Sequence, residues 1–305
     1  MQLPAPAQLL ASVAPVDWEQ LDIPILARPS EEERRHEKLC EFSKGKSTPL
    51  TKSVGPFISQ GLLLKYGIEV HDLDFVTGRP SHGGKQVLNP TPPCKIEKCL
   101  RLTRPWDGGG DLADFKNCSW NSNIGEAQHL YQIIRRYLTT LGFEDGKQPS
   151  LLSMTPWKPF MNNYGPLRPS KRGWEAQDIW RYTMKNEKNE VVGDPSVPHM
   201  FCFVASEPSL VEGEVSIGEM TTIVSLPMIY ASHYRHLPHQ PVPVTLISCS
   251  WRSFRVVQGI VDIDKSHIEI RMTPIISFVE GIKSNWLGFL TLLGWIISNP
   301  VGQAE

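Results

Sequence analysis

HMFCFVA, residues 199–205, and VPVTLISCS, residues 242–250, are two continuous β-prone runs separated by a helical segment, and that order decides the fold class. The first run is short enough for a central strand buried on both faces. Between them, a turn-rich link with Glu207, Pro208, Glu212, Gly213 and Glu214 leads to a helix opened by Thr221 or Thr222. It runs to about His236, with Ile223, Leu226, Ile229 and Tyr230 on one face and Pro227 as an awkward interior residue. Residues 254–262 pair with 242–250 through Trp251-Arg252-Ser253, and 266–272 alternates as a third strand. The last helix, around Trp286 to Ile297, is apolar nearly all round and should lie between other elements, with Gly288 and Gly294 permitting close packing.

Upstream, Ile124 to Leu141 reads as an amphipathic helix, capped by Asn123 and ended by Gly142. Residues 150–189 mix Trp157, Phe160, Trp174 and Trp180 with Lys158, Lys171, Arg172, Arg181 and Lys185, the interleaving that a groove for single-stranded nucleic acid uses. Four prolines from Pro156 to Pro169 also suit a loop pinned to the core by its tryptophans. Residues 1–123 form a loop-rich N-terminal extension with one charged helix, Glu31 to about Phe42, capped by Ser30, and a possible two-stranded piece around Val70 to Val76. Residues 124–305 form the core domain. The fold class is therefore α/β (α+β), a single mixed β-sheet flanked by helices.

Bulk composition narrows the function classes. A chain of 305 residues with 40% hydrophobic and 21% charged residues can bury a sizeable core, and 26 prolines with 23 glycines predict many loops. A formal net charge of −1 supplies no global attraction to nucleic acid or anionic lipid, so any such contact depends on local patches. Six cysteines without framework spacing and no secretion-type start suggest reduced thiols in the cytoplasm or nucleus. The apolar part of residues 278–298 falls short of the roughly 20 residues of a span, so no membrane insertion is expected. Nucleophile elbow, phosphate-binding glycine loop and dinucleotide fingerprint are all missing from the sequence.

Three local clusters can hold a metal on paper. Asp107-Gly108-Gly109-Gly110-Asp111 matches no standard cation loop, Cys94 and Cys99 lack a second pair, and His233, His236 and His239 are interrupted by Leu237-Pro238. Each has a simpler reading as a turn, a coincidence and a basic helix end.

The succession of the helix at 124–141, strands within 178–205, the helix at 221–236 and strands at 242–262 resembles the α-β-β-β-α-β core of PD-(D/E)XK nuclease-like domains, of the kind that accompanies fungal-type protein kinase domains. In that family an Asp on one strand and a Glu-x-Lys pair on the next hold a divalent metal, which lowers the pKa of the attacking water. The resemblance assigns the Asp to Asp178, the strand-end Glu to Glu207 and an early helical carboxylate to Glu126, with Mg²⁺ as the implied metal. The chain departs from the pattern after Glu207, where Pro208 and Ser209 stand and no lysine follows. The implied protein is a degenerate nuclease that binds nucleic acid through Lys171, Arg172, Arg181 and Trp174, or cleaves it weakly with Asp178 and Glu207 as metal ligands. Two other readings stand beside it: a non-catalytic interaction or regulatory protein docking a partner through the Trp-rich segment, and an enzyme or accessory protein of a small-molecule pathway.

Overall fold

Met200–Ser206, every residue of it buried, lies inside the large sheet of a computed structural model that describes residues 30–52, 55–103, 121–139, 150–160, 167, 173–185, 191–194, 196–234 and 240–301. In chain order the elements are α1 (Ser30–Phe42), a π-helical segment (Ser43–Ser47), α2 (Thr48–Thr51), α3 (Gln60–Lys65), β1 (Glu69–Asp72), β2 (Leu88–Asn89), α4 (Pro93–Thr103), α5 (Asn123–Thr139), β3 (Trp157–Pro159), β4 (Trp174–Lys185) and β5 (Val191–Gly193). There follow β6 (Met200–Ser206), α6 (Ile217–His233), β7 (Val242–Ser250), β8 (Ser253–Asp262), β9 (His267–Met272), β10 (Ile276–Ser277), α7 (Trp286–Ile296) and β11 (Asn299–Pro300). The expected mixed sheet flanked by helices is present.

Strand order is β1-β9-β8-β7-β6-β4-β3, with β10 added to β8 and β5 to β4. Strands β6 and β7 run parallel, Met200 opposite Val244 through Ala205 opposite Cys249, because α6 carries the chain back to the starting end. Strands β7, β8 and β9 form an antiparallel meander. On the other side β4 runs antiparallel to β6 and β3 antiparallel to β4. The β4–β6 register shifts between Gln177 and Trp180, and Asp178 sits in that bulge with φ 44°.

Alternation along the strands builds two apolar layers. Cys202, Val204, Val244, Leu246, Val257 and Ile270 face α6 together with Phe42, Leu50 and Leu63 from the N-terminal helices. Phe201, Phe203, Ile247, Cys249 and Val256 face the other way, under α5 and α7, with Ile96 and Leu100 of α4. Helix α7 is buried on nearly all sides, as its composition requires, and Gly294 lets it approach Thr91, whose carbonyl would stand 2.2 Å from a Cβ at that position.

Several boundaries differ from the sequence expectation. The first α-helix ends at Phe42 as expected, but the chain goes on without a break into the π-helical segment and α2, where Ser43, Ser47 and Leu50 are buried. Around Val70, β1 joins the sheet in parallel with β9, Glu69 opposite Glu269 and Asp72 opposite Met272, and the local pairing expected there is reduced to one antiparallel bridge, Leu73 opposite Pro80. Pro93–Thr103 is a helix that the sequence reading did not foresee, and Cys94 and Cys99 lie on it. Helix α6 starts before Thr221, at a capping box in which Ser216 accepts from the Glu219 amide and Glu219 from the Ser216 amide. Pro227 stays inside α6, where fourteen of 17 residues are buried, so packing offsets the roughly 3 kcal/mol that an interior proline costs. The expectations placed on residues 1–29, Asp107–Asp111, Gly142, Lys171, Arg172, His236 and His239 lie outside the described residues. No described helix is long and apolar enough to cross a membrane.

One ion pair ties these elements together. Arg255 of β8 and Glu219 of α6 are both fully buried, with Nη2–Oε2 at 2.6 Å and Nε–Oε1 at 2.9 Å. Arg255 also donates to the carbonyls of Val211 at 2.8 Å and Glu214 at 2.5 Å, pinning the β6–α6 link. Burial opposes ionisation of Glu219, but the Arg255 guanidinium and the Ser216 amide outweigh it and hold the carboxyl below its usual range. Removing one partner leaves an uncompensated buried charge, so Arg255→Met should lower unfolding stability by about 3–5 kcal/mol in urea. Adding Glu219→Leu should recover part of that loss; a double variant less stable than Arg255→Met would contradict the assignment.

Candidate functional site

Helix α5 packs over β6 and β7 and reaches β4 through side chains, and the three carboxylates singled out from the sequence are spread along its contacts. Glu126, in the first turn, is buried and held by Arg252, with Nε–Oε2 at 3.2 Å and Nη2–Oε1 at 3.4 Å. Asp178 projects from the β4 bulge toward α5, where the Tyr131 hydroxyl donates to Oδ2 and Arg135 Nε stands 3.7 Å from the same oxygen. Burial first, and then the Asp178 carboxylate, push the Tyr131 phenol far above its ordinary range. Glu207 caps α5: its carboxylate accepts from the amides of Ile124 at 3.1 Å and Asn123 at 3.4 Å, and its carbonyl accepts from Asn123 Nδ2 at 2.7 Å.

These three are not brought together. The Glu207 amide donates to the Gly173 carbonyl at 2.7 Å, while Asp178 lies further along β4. Five residues of strand separate the two levels by about 15 Å, whereas oxygens sharing one hard cation lie within about 5 Å of each other. Mg²⁺ therefore does not fit Asp178 and Glu207 as a pair. Between them, the face of β6 that meets α5 is apolar: Phe203 stands opposite Gln177, Ala205 opposite Glu175, and Tyr131 stacks on Phe203 at 4.4 Å.

The residues singled out for nucleic acid have structural partners where they are described. Trp174 is 3% exposed, with its ring against Gly218. Arg181 donates to the Tyr234 hydroxyl at 2.6 Å and lies 5.3 Å over the Phe160 ring. Trp157 is buried, donating to the Ser298 carbonyl at 2.8 Å, so the Trp-rich segment presents no exposed patch at Trp157 or Trp174. His233 donates through Nδ1 to Ile229 O at 2.9 Å.

A second site was not foreseen. Across the α5 and α7 face runs a row of paired residues, His71, Arg271, Gln258 and Thr245, in an otherwise apolar layer. It borders a groove of about 270 Å³ whose lining includes His82, Lys85, His199, Asp262, Glu269 and Arg271. The segment that roofs it is fixed at both ends. Asp74 accepts from the Thr77 amide at 2.6 Å, Gln86 donates to the carbonyls of Thr77 at 2.6 Å and Leu88 at 2.8 Å, and Arg271 donates to Lys85 O at 2.6 Å.

At the edge of the groove His82, one of its lining residues, stacks on His71 at 3.8 Å; His82 Nε2 lies 3.2 Å from Glu269 Oε1, and His71 Nε2 lies 3.2 Å from Glu69 Oε2. A Cβ at Gly84 would come within 2.3 Å of His82 Nε2, so the bare backbone there leaves room for the ring. Two further polar groups nearby are buried without hydrogen-bond partners among the described residues: both amide atoms of Gln258 and Nδ1 of His199. No local spacing signals this site, because His71, His82, His199 and Glu269 meet only through the parallel β1–β9 pairing and the roofing segment.

Burial depresses the His199 pKa from 6.5 to about 4, the Val87 backbone opposing it in part. Between those values the unfolded chain takes up a proton that the folded chain refuses, so stability is lost as pH falls from 6.5 toward 4. Two and a half units correspond to about 3 kcal/mol. Urea midpoints measured across that range should fall more steeply for the wild type than for His199→Gln; parallel profiles would exclude His199 as the titrating group.

Comparison with known proteins finds no matching family model, no matching curated protein and no matching solved structure.

Proposed function

We propose that this chain is a nuclease-like scaffold without a cleavage site, which binds nucleic acid but does not cut it. The observation that carries the reading is the α5-facing side of β6. A Glu-x-Lys pair places both side chains on one face of a strand, since residues two apart share a face. On the strand beside Asp178, the two positions of that kind are Phe203 and Ala205. Neither can ligate a metal or orient a water, so the chemistry that the resemblance implies has no second carboxylate and no ammonium here. With the three-residue β5 set aside, the succession α5-β3-β4-β6-α6-β7 follows the α-β-β-β-α-β order, which supports the scaffold half of the reading.

Binding rests on local charge. Arg135 and Arg136 are exposed on α5, beside Asp178 in the case of Arg135, and Lys158 of β3 is half-buried. Arg168, Lys171 and Arg172 belong to the sequence that joins β3 to β4. Phosphate contacts of this type weaken steeply with salt.

With the full chain, a labelled single-stranded oligonucleotide should show anisotropy-detected binding that weakens between about 50 and 200 mM salt, and Lys171→Glu with Arg172→Glu should reduce its affinity roughly tenfold or more. Neither Mg²⁺ nor Mn²⁺ should produce cleavage of plasmid or oligonucleotide, and Asp178→Ala should leave binding unchanged. Metal-dependent cleavage abolished by Asp178→Ala would overturn the non-cleaving half of the proposal, and absence of salt-sensitive binding would overturn the other.

A further inference from the structure

We propose that His71, His82 and Glu269 form a mononuclear site for a divalent transition metal of the zinc class, with an open coordination position facing the groove. This is independent of the nuclease-like reading. Among the described residues these three offer ligand atoms that all lie within 4.8 Å of one another. Zinc bonds of about 2.0–2.2 Å in tetrahedral geometry place neighbouring donors roughly 3.3–3.6 Å apart. Closing from the observed spacing takes shifts of about 1 Å, which side-chain torsions supply.

Donor type selects the ion. Two imidazoles and one carboxylate suit zinc, iron, nickel or copper, whereas magnesium and calcium take oxygen donors. The backbone already supplies the framework: β1 and β9 are parallel neighbours, with Glu69 opposite Glu269 and His71 opposite Arg271. His82 is delivered by the roofing segment, which is tied to β1 by the Ser81 amide donating to Asp72 O at 2.9 Å. The three side chains keep partial access, His71 at 24%, His82 at 29% and Glu269 at 15% exposure, so an ion can enter from the groove.

An outer layer of partners is also in place. Glu69 engages Nε2 of His71, which leaves Nδ1 as the ligand atom and sets its tautomer. Arg271, almost fully buried, holds Glu269 Oε1 through Nε at 2.5 Å and leaves the second oxygen to the ion. Lone pairs of imidazole lie in the ring plane, so the His71 and His82 rings must open from their 24° interplanar angle for both to point at one metal. The lining residues Lys85 and Arg271 keep cations beside the open position, which favours an anionic fourth ligand.

The chain stripped with a chelator should take up one equivalent of Zn²⁺ in isothermal titration. Co²⁺ should give the visible absorption of a low-coordinate site. His82→Ala and Glu269→Gln should each weaken uptake at least about tenfold and abolish the Co²⁺ band. Cys94→Ser with Cys99→Ser should change neither, which separates this site from adventitious thiol binding. His82 lies on the roofing segment outside the sheet, so His82→Ala tests the site even if changes on β1 or β9 impair folding. Failure of the wild type to bind one equivalent, or uptake that survives both His82→Ala and Glu269→Gln, would overturn the proposal.

Discussion

The fully buried pair of Arg255 and Glu219 is the constraint on which the remaining structure turns. Taking two charges out of water costs several kcal/mol per ion, so the arrangement is tolerable only where attraction and hydrogen bonds are complete. Completeness here demands that α6 begin at Ser216, that the link from β6 fold back to offer the Val211 and Glu214 carbonyls, and that β8 turn Arg255 toward α6. A slip of one residue in β8 would send Arg255 to the opposite face of the sheet, away from Glu219. The pair therefore acts on register as much as on stability.

Register is what carries that constraint to the groove. With Arg255 fixed, Val257 pairs with Met272 and Gln258 with Arg271, and the β9 register in turn places Glu269 beside Glu69 of β1. The polar row from His71 to Thr245 is the far end of this chain of pairings. Its members gather on one face because cross-strand partners share a face, and Arg271, Gln258 and Thr245 are buried there. Gln258 and His199 are both buried with unpartnered atoms.

Much of the core was legible in the sequence, and the reason is period. Val242–Ser250 and Met200–Ser206 are compact β-prone runs without a charged residue, and α5 shows its stripe at three and four residue steps, so each declares itself locally. The same pattern left α6 four residues late at Thr221, because the Ser216 to Glu219 box was not recognised before a helix that is apolar on nearly every side. Strand β1 was illegible for a different reason: four residues with a half-exposed pattern carry no signal of a parallel partner 200 positions away. The groove inherits that blindness, since its histidines are neighbours in space alone. Around α5 the sequence marked Glu126, Asp178 and Glu207 as notable, and all three do have particular partners, but their chain positions could not reveal that those partners are Arg252, Tyr131 and the amides of the helix itself.

The two regions differ in what their carboxylates are used for. Along α5 the acids serve architecture: Glu207 docks the helix start, Glu126 neutralises Arg252, and Asp178 holds a strained bulge against Tyr131. The three lie at separate points along the helix rather than around one centre, and an apolar stack, Tyr131 on Phe203, lies beside Asp178. In the groove the order is reversed. Glu69 engages Nε2 of His71 and Arg271 engages Oε1 of Glu269, and each of these contacts uses one donor atom of the side chain it holds. Hard oxygen donors are thus committed to holding helix on sheet, while the imidazoles, which contribute little to that packing, are the groups left with coordination capacity. Among the described residues, two imidazoles and one carboxylate gather within 4.8 Å at the β1–β9 edge, which is why the proposed metal site lies there rather than with the acids beneath α5.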